Sequence, residues 1–229
     1  MATNVNPEEL NYDHYATTKY DEDIVRSIPG HVELHQHIDK LVESLPEQPR
    51  ILELGVGTGL TAERILKRFP KSQYFANDFS RTMLDGARAK LQGYNVQYLE
   101  GDYSKIELPK DNDAVISVIG IHHQETDEDK KDLFTKIYNS LNERGVFIFG
   151  DLVTYRNPTE AALNEAHHFH YLVENAQDEE SLKEWAHHHK NLNKLAPLED
   201  QVEWLREVGF REVTVEYQKF NTALIYAKK

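Results

Sequence analysis

Three glycines at alternate positions, Gly55, Gly57 and Gly59, follow directly on the apolar run Ile51–Leu54 and precede a helical pattern at Leu60–Arg68. Alternate glycines let the backbone turn tightly, and they let a ligand approach the main chain without meeting a Cβ atom. The N-terminus of the following helix offers unpaired N–H groups and the positive end of the helix dipole. This run therefore predicts a strand–turn–helix unit that binds a ligand at the start of its helix.

The surroundings of this turn distinguish it from the similar turn of dinucleotide-binding proteins. The glycine spacing is G-x-G-x-G rather than G-x-G-x-x-G, and the acidic residue Glu53 lies two positions before the first glycine. A second acidic residue, Asp78, ends the next apolar run, Gln73–Asp78. Together these features resemble motif I of the class I methyltransferases that depend on S-adenosylmethionine (SAM). The resemblance implies an enzyme with SAM as its cofactor and S-adenosylhomocysteine as its product.

Short apolar runs alternate with amphipathic stretches, a pattern typical of a parallel sheet covered by helices on both faces. The predicted strands of this core are Ile51–Leu54, Tyr74–Asp78, Val96–Glu100, Ala114–Ile119 and Val146–Asp151. The predicted helices are Thr61–Phe69, Ser80–Leu91 and Glu128–Asn142. Val213–Phe220 and Thr222–Ala227 have almost no linker between them, which predicts an antiparallel hairpin. The expected fold class is α/β: a Rossmann-like class I methyltransferase with a mostly parallel seven-stranded sheet, an antiparallel C-terminal hairpin and a helical lid.

The length of 229 residues predicts a single methyltransferase domain, residues 1–229, around one core. Its expected parts are an N-terminal lid segment (1–48) with a helix at Glu33–Leu45, a SAM-binding core (49–156), a helical insert (157–196), and a C-terminal helix, Pro197–Glu207, with the hairpin (197–229). In an open α/β sheet the ligand lies beyond the carboxyl ends of the strands. Because the N-terminal segment and the insert both reach that edge, they predict a lid over the substrate.

The resemblance also implies roles for residues at the ends of successive strands. The implied cofactor-binding residues are the loop glycines Gly55, Gly57 and Gly59, Glu53 for the amino group, Asp78 for both ribose hydroxyls, Phe79 against the adenine, Asp102 for the adenine amino group with Tyr103 beside it, and Ile119 near the sulfonium. His122 and His123 follow Ile119 and are the catalytic candidates, because a neutral imidazole is a suitable general base near working pH. Equally open is a role for these histidines in shaping the pocket alone.

A closer resemblance lies at the two ends of the chain. Tyr20–His31 and Phe220–Lys229 are similar to segments of the bacterial carboxy-SAM synthases, and the resemblance adds Arg26 to the cofactor-binding residues. Two departures matter: His31 stands where that family has a tyrosine, and Ala186–Lys190 lacks the arginine that grips the extra carboxylate. Histidine and lysine do not replace a bidentate guanidinium. We therefore expect methyl transfer to an oxygen or nitrogen atom of a small molecule, with a carboxy-SAM synthase or a non-catalytic SAM-binding protein as the alternatives.

The chain contains 12 histidines, which raises the question of a metal site. Two predicted helices of the insert each contribute three of them, His167, His168 and His170 on the first and His187, His188 and His189 on the second. Antiparallel packing of these helices can bring imidazoles together. Spacing alone does not define a ligand set, so the metal is left unknown.

Two further patterns concern packing. An apolar stripe in the insert is expected to face the core: Leu163, Ala166, Phe169 and Val173. Three tyrosines near the N-terminus are expected either to form an aromatic wall over the ligand or to pack their segment onto the core: Tyr12, Tyr15 and Tyr20.

Composition limits the partners of the chain. Cysteine is absent, which excludes a disulfide framework, a thiolate zinc site and a cysteine nucleophile. The excess of 39 acidic over 26 basic residues gives a net charge of −13, which argues against a large nucleic-acid footprint. The N-terminal residues do not have the pattern of a signal peptide, and no apolar run approaches a membrane span. We expect a cytoplasmic protein, monomer or homodimer, whose partner is a small molecule rather than nucleic acid or membrane.

Overall fold

The computed structural model describes residues 17–229, which form one seven-stranded sheet; Tyr12 and Tyr15 lie outside this range. The strands are β1 (Arg50–Leu54), β2 (Gln73–Asp78), β3 (Val96–Glu100), β4 (Asn112–Val118), β5 (Leu141–Leu152), β6 (Glu212–Lys219) and β7 (Thr222–Lys228). Their order across the sheet is β3-β2-β1-β4-β5-β7-β6. The first five strands run parallel, and β7 pairs antiparallel with β5 and β6.

The central strands β1, β2 and β4 are buried along almost their whole length, because helices cover both faces of the sheet. A strand buried on both faces requires apolar side chains at successive positions, which these three sequences provide. The carboxyl ends of these three strands meet at one edge, and each is followed by a candidate site segment. The predicted fold class is confirmed, including the antiparallel hairpin at the edge of the sheet.

Eight α-helices surround the sheet in the described part of the chain. They are α1 (Thr17–Ser27), α2 (His31–Leu41), α3 (Leu60–Arg68), α4 (Arg81–Lys90), α5 (Asp127–Ser140), α6 (Pro158–Asn175), α7 (Glu179–Asn191) and α8 (Leu198–Val208). Side chains cap the first turns of α4 and α5: Ser80 accepts from the backbone of Met83, and Thr126 and Asp129 form a capping box. Within residues 17–229, no helix combines the length and the apolar character that crossing a bilayer requires.

Most element boundaries differ from the sequence prediction by a few residues, and two of these differences concern β4 and β5. The strand β5 starts at Leu141, inside the predicted helix Glu128–Asn142, because Leu141 pairs with Asn112 of β4. The strand β4 ends at Val118, and the next residue, Ile119, has a φ of 54°. A β-branched residue in the left-handed region is strained by about 1–3 kcal/mol. The chain therefore leaves the sheet in a sharp, strained turn at the edge where the strands end.

The N-terminal segment divides into two parts. The helix α2 packs into the core, where Leu34 and Ile38 are almost fully buried and Leu34 lies against Gly150 of β5. The helix α1 instead lies over the carboxyl edge of the sheet and contacts α4 and α6. The lid segment expected at 1–48 thus contains a core helix, which reaches the edge only with His31 and His35.

The insert forms the two helices α6 and α7, but α6 is oriented differently from the expectation. Leu163 and Val173 are exposed, whereas His168 and Leu172 are buried. The ring of His168 stacks on that of His189 of α7, with 3.9 Å between the ring centroids. The helix therefore presents His168 and Leu172 to the interior rather than its predicted apolar stripe.

The turn between α1 and α2 packs closely against β6, and a substitution at Gly30 tests this contact. Gly30 has a φ of 73°, and a Cβ atom there would lie 2.1 Å from the hydroxyl of Tyr217. Gly30→Ala is expected to lower the free energy of unfolding by about 2–4 kcal/mol, from backbone strain and the clash together. Urea denaturation measures the loss. Gly93→Ala is the matched control, because Gly93 has a φ of 94° but open space around its Cβ position; equal losses in both variants would contradict the clash.

Candidate functional site

Two adjoining cavities open at the carboxyl edge of the sheet. The first cavity is lined by the glycine loop after β1 and by the ends of β2 and β4. The second cavity lies between α1, α6 and α7. Tyr20, Ile24, Ile119 and His123 line both. A ligand in one cavity therefore meets a ligand in the other across these four side chains.

The glycine loop uses backbone conformations that only glycine adopts at little cost. Gly55, Gly57 and Gly59 have φ values of 71°, 54° and 88°. Gly55 and Gly57 line the first cavity, whereas Gly59 begins α3 and faces the core residue Leu91. Two of the glycines thus keep the main chain open to a ligand, and the third allows close packing of helix on helix.

Asp78 is a buried carboxylate at the end of β2. Its oxygens accept from the backbone N–H of Gly57 at 2.8 Å and of Ser80 at 2.9 Å. Burial raises the pKa of Asp78 to about 6, because the ionised form loses its hydration. A carboxylate has about four acceptor positions, so these donors leave room for hydroxyl groups of a ligand. Phe79 follows and lines the same cavity.

Glu53, at the end of β1, belongs to a buried chain of polar side chains. His35 Nδ1 lies 2.9 Å from the carbonyl oxygen of His31 and must donate to it. His35 Nε2 is then the acceptor of the Thr61 hydroxyl, at 3.0 Å. Thr61 also hydrogen bonds with Glu53, and the Tyr74 hydroxyl donates to Glu53 Oε2 at 2.6 Å. Glu53 therefore interacts with two buried hydroxyl groups at the end of β1.

The pKa of Glu53 decides its protonation state near pH 7. Burial raises it to about 8, since the charged form has lost its hydration. Glu53 lines the first cavity and is therefore a neutral acid that a cationic ligand would ionise.

Asp102, Tyr103 and Ile119 complete the wall of the first cavity. Lys105 lies 3.0 Å from Asp102, and the Tyr103 hydroxyl donates to the carbonyl of Gly120 at 2.9 Å. The hydrogen bond from Tyr103 to Gly120 joins the segments after β3 and β4 beside the cavity.

The helix α1 is attached to the glycine loop by a polar latch. The Thr58 hydroxyl donates to one oxygen of Asp21, and the ammonium of Lys90 on α4 pairs with the other. The side chains of Lys90 and Asp21 are only 21% and 27% exposed. Arg26, further along α1, lines neither cavity, so the structure does not bring this candidate to the site.

The second cavity contains an oriented histidine. His122 Nδ1 contacts Asp151 Oδ1 at the end of β5, and the backbone N–H of His122 donates to Asp151 Oδ2 at 2.9 Å. Both residues are buried. Because a carboxylate accepts hydrogen bonds, Nδ1 holds the ring proton and Nε2 is left as the basic nitrogen.

Four further imidazoles line the second cavity: His123, His168, His188 and His189. Desolvation lowers the pKa of each, to about 4 for His168 and His188, so all are neutral at neutral pH. The ring of His123 lies 4.0 Å from that of His122 and 5.4 Å from that of His188, between centroids. The rings pack on one another, and within residues 17–229 no three histidine or acidic side chains are arranged to hold a metal ion.

Of the twelve candidate site residues, all except Gly59 and Arg26 line one of the two cavities. Asp23, Glu184 and Trp185, which the sequence analysis did not select, line the second cavity from α1 and α7. Helical spacing could have indicated Asp23, because it lies three residues after Tyr20 and therefore on the same face of α1. The remaining histidines of α6 and α7 are exposed.

Comparisons with known proteins agree with this geometry. Residues 51–145 match the family described as a methyltransferase domain. The chain is 23% identical to the carboxy-S-adenosyl-L-methionine synthase of Nautilia profundicola, over 97% of this chain and 95% of that protein. It is 28% identical to an uncharacterized methyltransferase of Bacillus cytotoxicus, over 73% of this chain and 79% of that protein.

A solved structure gives the same fold. It is the phosphoethanolamine N-methyltransferase 2 of Haemonchus contortus, in complex with phosphomonomethylethanolamine and S-adenosylhomocysteine. The TM-score is 0.68 and the identity 21%, over 94% of this chain and 46% of that chain.

The protonated state of Glu53 leads to a calorimetric prediction. A bound ammonium group would lower the pKa of Glu53, so binding of S-adenosylhomocysteine near pH 7 is expected to release about one proton. Titration in buffers of different ionisation enthalpy counts that proton. Glu53→Gln, which keeps the acceptor for Tyr74, is expected to bind more weakly and to release none. Equal proton release in both proteins would contradict the assignment.

The latch leads to a kinetic prediction. Asp21→Asn removes the ion pair with Lys90, and we expect dissociation of S-adenosylhomocysteine to become about two- to five-fold faster. Stopped-flow fluorescence measures the rate. Asp85→Asn is the matched control, because it breaks the exposed pair with Arg88 on α4, away from the cavities. An unchanged rate in Asp21→Asn would show that α1 is held by other contacts.

Proposed function

The chain is a class I SAM-dependent methyltransferase, and we propose that it transfers the methyl group to an oxygen or nitrogen atom of a small molecule in the second cavity. The proposal includes a cytoplasmic enzyme, monomer or homodimer, without a nucleic-acid or membrane partner. It rests on the position of an oriented base beside the cavity that fits the cofactor.

The residues of the first cavity fit SAM. Asp78 keeps acceptor positions suited to the ribose hydroxyls, and Glu53 is placed for the amino group. The open main chain at Gly55 and Gly57 leaves space for ligand atoms, and Asp102 offers an acceptor for the adenine amino group. When bound, SAM supplies an electrophilic methyl group. The remaining work for the chain is to align an acceptor with that methyl group and to remove its proton.

The pair of His122 and Asp151 is the observation that supports this proposal most strongly. Asp151 holds the ring in the tautomer whose Nε2 is free to accept a proton, and it stabilises the imidazolium that forms. The burial of both residues keeps this proton transfer away from bulk water. His123, on the wall between the two cavities, is the second candidate.

Two alternatives are less well supported. A carboxy-SAM synthase, the activity of one relative, must bind a cofactor with an added carboxylate. Among the described residues that line the two cavities there is no arginine or lysine to pair with such a group. A non-catalytic SAM-binding protein would have no use for an oriented buried base beside the cofactor cavity.

The test uses His122→Gln and Asp151→Asn. Both are expected to lower kcat about 100- to 1,000-fold, because proton removal loses its base or the orientation of that base. The measured quantity is S-adenosylhomocysteine formed from SAM with fractions of a small-molecule cell extract. Affinity for S-adenosylhomocysteine is expected to stay close to that of the unsubstituted protein, which also reports correct folding.

His187→Gln is the matched control, because His187 is exposed on α7 and lines neither cavity. Full activity of His122→Gln would remove the proposed base. Formation of carboxy-SAM from SAM and prephenate would favour the synthase alternative, and absence of turnover with every fraction would favour the non-catalytic one.

A further inference from the structure

We propose that the acceptor is a small molecule with an apolar body and a protonated amine, and that Asp23 in the second cavity binds this amine. The inference rests on the proposed function and names its substrate class. It follows from an unpartnered buried acceptor, from the charges around it and from the walls that surround it.

Asp23 projects from α1 into the second cavity. The side chains on this face of α1, Tyr20, Asp23, Ile24 and Ser27, recur at helical spacing and line the cavity, whereas Glu22 is exposed. Asp23 is 6% exposed, and its Oδ2 has no hydrogen-bond partner among residues 17–229. A buried carboxylate oxygen without a partner is costly. Such a position is explained by a ligand that brings a donor.

The charges facing the cavity favour a cation over an anion. Asp23 and Glu184 are the acidic side chains on its walls, and four of its histidines, His123, His168, His188 and His189, are neutral. Lys19 and Arg26, one turn to either side of Asp23 on α1, act on it electrostatically but do not line the cavity. Within the described range, neither lies within the 4.0 Å of an ion pair with Asp23. An anionic group in the cavity would therefore meet carboxylates and neutral rings.

A second unpartnered acceptor in this cavity also favours a ligand that donates hydrogen bonds. Asn193 donates its amide to His189 at 3.2 Å, which leaves a buried Oδ1 without a donor in the part of the chain that the structure describes. The other walls are apolar or aromatic: Ile28, Leu152, Leu172 and Trp185. Aromatic faces attract cations, and the apolar side chains bury hydrocarbon. The second cavity thus combines two acceptors with an apolar enclosure, which is complementary to an ammonium group on a compact hydrocarbon frame.

We assign different roles to Asp23 and His122. Asp23 anchors the ammonium group, while His122, which lines the same cavity, takes the proton from the atom that receives the methyl group. Asp23 is therefore a binding residue that selects the acceptor, and the reaction at the methyl group is that of the proposed function.

The experiment measures binding and does not require turnover. Protein saturated with S-adenosylhomocysteine is titrated calorimetrically near pH 7 with three probes of matched shape: phenethylamine, 2-phenylethanol and 3-phenylpropionate. Benzylamine and cyclohexylamine extend the amine series. We expect the amines to bind more tightly than the alcohol and the acid. Asp23→Asn is expected to weaken amine binding at least about 10-fold, the range of a lost charge-assisted hydrogen bond, while binding of 2-phenylethanol stays unchanged.

Glu22→Gln is the matched control, because it removes the same charge from the neighbouring, exposed position of α1. It is expected to leave amine affinity unchanged. Three results would overturn the proposal: tighter binding of 3-phenylpropionate than of phenethylamine, equal amine affinity in Asp23→Asn, or no binding of any amine. None of these results would touch methyl transfer itself, which the His122 and Asp151 variants test separately.

Discussion

A buried carboxylate that accepts hydrogen bonds from the glycine loop is the interaction on which the site depends. Asp78 ties the loop after β1 to the first turn after β2, through the N–H groups of Gly57 and Ser80. Burying a charge without partners costs several kcal/mol, and backbone donors offset much of that cost. Glu53, one strand away, meets the same problem differently, by keeping its proton. The parallel strands thus place two acids at one edge of the sheet in different protonation states. Asp78 is suited to accept from hydroxyl groups, and Glu53 is suited to an ammonium group.

The helix α1 connects this edge with the second cavity. Its residue Asp21 holds the glycine loop, Tyr20 and Ile24 line both cavities, and Asp23 lines only the second. The spacing of these positions along one helix allows a single rigid element to contact cofactor and acceptor. Docking of α1 therefore shapes both cavities at once, and the latch to Thr58 and Lys90 is the polar part of that docking.

The fold and most of the first cavity were predictable because their signals are local in the sequence. A strand end, a glycine turn and an acidic residue stand next to one another, and the comparisons confirm the family and the cofactor that they imply. The second cavity was not predictable in this way. Leu163 and Val173 form an apolar pattern that faces outward, because α6 turns His168 towards α7. The helix α1 was not predicted at all, since its inward face mixes Tyr20, Asp23 and Ile24, and only tertiary packing shows that Arg26 points elsewhere.

The two cavities differ in what builds them, and this difference bears on how such a protein evolves. The first cavity rests on strand ends, so a change there disturbs the sheet, whereas the second is walled largely by α1, α6 and α7. Substitutions at separate sites without shared partners act additively. Acceptor preference can therefore diverge through the insert helices while cofactor affinity and folding are inherited unchanged. Four residues line both cavities and are the exception: Tyr20, Ile24, Ile119 and His123. A substitution there that suits a new acceptor also changes the surroundings of the cofactor.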